Sequence, residues 1–139
     1  MMVPYLQFKD AEFEEDFLRR LDPRIRAVCY DLAEFTFRRF KKPLVVTCVN
    51  RPADKDSAHG YGRAVDIRSL HLAVTEKSTV LEYLRAVWDA NTEPSPQTKA
   101  GKQKFLRAMI HVGTAEHLHL AINSSHSRGN YLRGTGFKT

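Results

Sequence analysis

The sequence has only two cysteines, Cys29 and Cys48, and no CxxC spacing, so a thiolate zinc site is not expected and both are read as buried free thiols. No apolar run approaches the ~18 residues of a membrane span. Met1 to Asp10 shows no basic segment followed by an apolar core, so no signal peptide is expected. There is no long basic run, and basic and aromatic residues do not interleave as they do on nucleic-acid platforms. Nucleic acid is therefore not an expected partner, and the chain carries no internal repeat.

What is present is the composition of a globular domain: 139 residues, 42% hydrophobic and 27% charged. That length suits one domain with a real core. Lys and Arg number 22 against 16 Asp and Glu, a net charge of +6. The excess fits either a polyanionic partner, such as an anionic cell wall, or a merely well-solvated surface.

Phe8, Phe13, Phe17, Leu18 and Leu21 suggest a short amphipathic helix near the start, with Glu12, Glu14, Glu15 and Asp16 toward water. Asp22-Pro23 is a helix start, and the apolar spacing Ile25, Val28, Cys29, Leu32, Phe35 predicts a helix over 23–40. Pro43 stops it. Residues 44–49 form a β-branched run that reads as a buried strand. Val80, Leu81, Leu84, Val87 and Trp88 predict a second helix over about 76–90, with Thr75 or Ser78 as cap. Residues 91–104 read as a mobile surface loop. Two last strands are expected at 105–112 and 117–122, the latter with His117 and His119 on one face and Leu118, Leu120 and Ile122 on the other.

The densest chemistry lies in Ser57-Ala58-His59-Gly60-Tyr61-Gly62-Arg63-Ala64-Val65-Asp66. A histidine and an aspartate stand seven apart across a glycine-rich turn that opens into an alternating strand. Imidazole and carboxylate are both common zinc ligands, and a catalytic zinc takes three protein ligands and keeps a fourth position for water. The third ligand is sought among His111, His117 and His119, on or beside the late strands.

Ser57-x-His59-x-x-Gly62-x-Ala64-x-Asp66, followed by Glu116-x-x-His119 with His117-x-His119, resembles the zinc D-Ala-D-Ala peptidases. These include carboxypeptidases, vancomycin-resistance dipeptidases and bacteriophage L-alanyl-D-glutamate endopeptidases that act as endolysins. The wider fold group takes in lysostaphin-type enzymes and the hedgehog signalling domain. The resemblance spans about Val45 to Ile122. It implies zinc held by His59, Asp66 and His119, Glu116 as catalytic base, and His117 lining the site. It also implies that Arg51 contacts the substrate, although the family's Ser-Gly-Tyr-Arg context is replaced by Cys48-Val49-Asn50-Arg51. Pairing of Arg51 with Asp54 or Asp56 is the alternative.

Glu116 and His119 are three apart, so a straight strand sends them to opposite faces. Glu116 can serve as base only from the turn before the strand; otherwise His117 or His111 is the better candidate. The expected fold is α+β, with a small antiparallel sheet bearing zinc on one face and the two main helices on the other. The expected protein is a monomeric zinc peptidase cutting peptidoglycan stem peptides. The resemblance points to a phage or prophage lysin in the host cytoplasm or virion that meets the wall after release. A non-catalytic zinc-binding module of the same fold is the alternative.

Overall fold

The computed structural model describes residues 5–49, 62–94, 98–112 and 115–123. Arg51, Ser57 and His59 lie outside them. The elements in chain order are β1 (Leu6–Phe8), α1 (Ala11–Arg19), α2 (Pro23–Phe40), β2 (Leu44–Cys48), β3 (Ala64–Arg68), α3 (Val74–Trp88), α4 (Lys99–Lys102), β4 (Leu106–His111) and β5 (His117–Ile122). The strands form one sheet in the order β1-β2-β3-β5-β4. β1 runs parallel to β2, and every other pair is antiparallel. The α+β class expected from the sequence is the class observed.

The long helix starts where its chemistry requires. Asp22 accepts from the Arg24 backbone N–H at 2.9 Å, and Pro23 opens the helix. Its Ile25, Val28, Cys29, Leu32 and Ala33 are fully buried. They meet Val46, Val65, Ile67, Leu106, Ala108, Leu118, Leu120 and Ile122 in one apolar cluster, together with Val80 and Leu84 of α3. Each Val, Leu or Ile among them contributes about 1.5–3 kcal/mol by leaving water. Strand alternation therefore gives the sheet an apolar face toward the helices and leaves the other face to different residues.

Several expectations need correction. Residues 6–8 form a short strand that periodicity did not reveal. In α1, Leu18 is 52% exposed while Asp16 is 9% exposed; burial raises the Asp16 carboxyl above its usual range. α3 begins at Val74, ahead of both expected caps, and Glu76 Oε1 accepts from the Ala73 N–H at 2.8 Å. Within 91–104 there is a one-turn helix, α4, and a buried Asn91. The Asn91 N–H donates to Leu106 O at 2.8 Å, and its carbonyl accepts from the Ala108 N–H at 2.9 Å. Gly101 packs so closely that a methyl there would lie 2.7 Å from Glu93 Oε2. Cys29 is buried as expected, whereas Cys48 is only half-buried. No helix among the described residues is long and apolar enough to cross a membrane.

Candidate metal centre

The face of the sheet turned from α2 and α3 has a regular layout set by register. Arg107, Ala121 and Ala64 make one row across β4, β5 and β3; Met109, His119 and Asp66 make the next; His111, His117 and Arg68 make the third. His119 is thus the middle residue, with Asp66 on one side and the other two histidines along the third row.

The chain entering β3 is pinned at several points. Gly62 has φ 72°, a left-handed conformation that favours glycine. Its carbonyl accepts from the Asp22 N–H at 2.9 Å, joining this turn to the start of α2. Arg63 O accepts from the Ile122 N–H at 2.8 Å, and Arg63 Nη1 donates to Ile122 O at 2.9 Å. These bonds hold β3 against β5, so that Asp66 and His119 face each other.

Asp66 is 2% exposed. Its Oδ1 lies 2.9 Å from His119 Nδ1 and 3.6 Å from His117 Nε2. His117 Nδ1 lies 2.9 Å from the Ala115 carbonyl. A carbonyl only accepts, so Nδ1 carries a hydrogen, and Nε2 is the ring nitrogen turned toward Asp66. A backbone carbonyl orienting the far ring nitrogen is a common support for a metal-binding imidazole. The ring of His111 is centred 5.0 Å from that of His117 and 5.6 Å from that of His119. One ligand atom from each of the three histidines falls within 4.8 Å of the others. Burial first, then the neighbouring His119 and His117, lower the His111 pKa, which favours the neutral form a metal needs.

This donor set suits a zinc-like ion. Tetrahedral zinc with bonds of ~2.0–2.2 Å sets its donor atoms roughly 3.3–3.6 Å apart. The Asp66–His119 and Asp66–His117 separations bracket that spacing. The nitrogen and carboxylate donors match zinc chemistry.

Glu116 has its own set of partners. The residue is 8% exposed and its carboxylate turns toward α3, where Lys77 Nζ stands 2.8 Å from Oε2; Ser69, ahead of that helix, donates to Oε2 at 3.0 Å. Hydrogen bonding from Lys77, and then from Ser69, outweighs burial and holds the carboxyl below its usual range. The structure thus brings Asp66, His119, His117 and His111 together, and it engages Glu116 with Lys77 and Ser69. Arg51 and His59 lie outside the described residues. Arg107 and Met109 share the face and were not singled out from the sequence, although the alternation of Leu106, Ala108 and Ile110 marks their side. Lys77 has a similar signal: it sits at helical spacing from buried Val80 and Leu84, where a lysine needs a partner.

Compared with known proteins, the chain matches no family model, no curated protein and no solved structure.

Proposed function

We propose that this chain is a zinc peptidase acting on peptide bonds of peptidoglycan stem peptides. The observation that carries the proposal is a single buried carboxylate oxygen, Asp66 Oδ1, with two imidazole nitrogens 2.9 and 3.6 Å away on one face of the sheet. The sequence motif joins His59 to Asp66 and His119 as the ligands that would hold the ion. When bound, zinc would supply a Lewis acid and a water acidified toward pKa ~7.

The protein's own part is proton handling and orientation. His117, its Nδ1 fixed by the Ala115 carbonyl, would take a proton at Nε2 from the attacking water. It would return that proton to the leaving amine as the peptide C–N bond breaks. The described contacts favour His117 over Glu116 for this role, because the Glu116 carboxylate is engaged by Lys77 and Ser69. Glu116 would instead tie the histidine-bearing strand to α3. Arg51 remains the proposed substrate contact. The motif resemblance carries the proposed setting, a phage or prophage lysin that meets the wall after release.

The test is digestion of purified peptidoglycan by the zinc-loaded protein, with mass spectrometry of the products. New L-Ala carboxyl and D-Glu amino ends identify an endopeptidase, and free D-Ala identifies a carboxypeptidase. No product from protein carrying one zinc per chain sinks the enzyme. The second reading, a non-catalytic metal-binding module, is favoured by the gathering of His111, His117 and His119. With Asp66 they offer four donors, enough to close a coordination shell and leave no position for water.

A further inference from the structure

Arg107 sits on the metal-bearing face, in the row next to His119. Its register partner on β5 is Ala121, so it lies diagonal to His119, with their backbones about 7–8 Å apart. The guanidinium leans toward the metal row: Nη2 lies 3.2 Å from Met109 Sδ, and Met109 is the register partner of His119. The rest of its row is Ala121 and Ala64, so no larger side chain of that row stands over it.

The guanidinium is poorly satisfied where it lies. A thioether is a weak acceptor. Nη1 is buried and has no hydrogen-bond partner among the described residues. Burial lowers the arginine's pKa and the charge of Glu93 raises it, but the Glu93 carboxylate is bonded to the Thr98 backbone and hydroxyl. A buried N–H donor left unmade carries a penalty that a bound anion removes, and a planar guanidinium matches a carboxylate.

We propose that Arg107 forms, beside the metal centre, a subsite for a carboxylate of the bound peptide. The identity of that peptide rests on the peptidase reading; the anion subsite rests on the placement of Arg107. An extended peptide covers ~3.3 Å per residue. A carboxylate on the residue adjoining the carbonyl at the metal therefore falls within reach of the guanidinium. In a stem peptide cut after L-alanine, that residue is D-glutamate, whose α-carboxylate is the group Arg107 would select.

The experiment uses two synthetic peptides in which L-alanine is joined to D-glutamate, one with the α-carboxylate free and the other with a carboxamide there. Binding by calorimetry and cleavage by mass spectrometry are measured with the zinc-loaded full chain and with Arg107→Gln and Arg107→Lys. Circular dichroism and zinc content establish that the variants are folded and loaded. The wild type is expected to bind the carboxylate peptide about 10- to 100-fold more tightly. Arg107→Gln should abolish that preference, and Arg107→Lys should retain part of it. Equal binding and cleavage of the two peptides by the wild type overturns the subsite and leaves the peptidase standing. A preference unchanged in Arg107→Gln also overturns the subsite. An Arg107-dependent preference without cleavage keeps the subsite and removes the peptidase. Binding of neither peptide overturns both.

Discussion

The two faces of the sheet follow opposite rules although they belong to the same strands. On the helix side, Val65, Ile67, Leu118, Leu120 and Ile122 are almost wholly buried against other apolar side chains. One residue along, the same two strands present Asp66, His117 and His119. The first face stabilises the fold by excluding water and tolerates apolar exchanges of similar volume. The second places a buried carboxylate among imidazoles, where exchanges change chemistry more than packing. Because the period is two, a slip of one residue would exchange the roles. The register bonds from Arg63 and Ile122 therefore protect chemistry and stability together.

That division is open to direct attack. Removing a proposed ligand, as in Asp66→Asn or His119→Ala, should weaken zinc affinity by more than about 100-fold, since loss of an outer support alone costs 10- to 100-fold. Far-ultraviolet dichroism should change little. Zinc content after dialysis checks this, and full retention of zinc by Asp66→Asn would falsify the assigned centre. His117→Ala should lower kcat by roughly 10²–10⁴ if it handles the proton, whereas Glu116→Gln should lower it less than about tenfold. The reverse ranking in peptidoglycan digestion returns the base to Glu116.

On the apolar face, Leu120→Ala should cost about 2–5 kcal/mol of stability, read from the urea midpoint, while the folded fraction still binds zinc. Equal damage to zinc affinity would show that the faces are not separable. A smaller effect is expected from the Lys42–Glu76 pair at 2.6 Å, which joins the end of α2 to the start of α3. The bond from Lys42, then the Ala73 N–H, depresses the Glu76 pKa. A depressed carboxyl stabilises above its unfolded value, and that contribution is lost as pH falls through the folded one. The drop in Tm below about pH 4.5 should therefore be shallower in Glu76→Gln than in the wild type. Parallel Tm curves would remove that contribution.

Much of this layout was legible from the sequence where local chemistry is unambiguous. Asp22-Pro23 and Pro43 bound α2, and strict alternation from His117 to Ile122 gave β5 and its histidine face. The rest depended on distant partners. β1 has three residues and exists through its pairing with β2. Asp16 and Leu18 have exposures opposite to their polarity because neighbours decide which side of a short helix is covered. At the site, the conflict between Glu116 and His119 could be stated from spacing alone. Only Lys77 and Ser69, far away in the chain, decide which way the carboxylate turns. An arginine on a strand carries no signal by itself, so Arg107 became informative only through its row.

Asn91 has a consequence of another kind. β4 is an edge strand, and an exposed edge offers a template on which other chains can stack into aggregates. Asn91 occupies two hydrogen-bonding groups of that edge, at Leu106 and Ala108. One residue thus caps the first part of β4. Its replacement by proline, which lacks the N–H, would be felt first as poor solubility at high concentration, before any change on the histidine-bearing face.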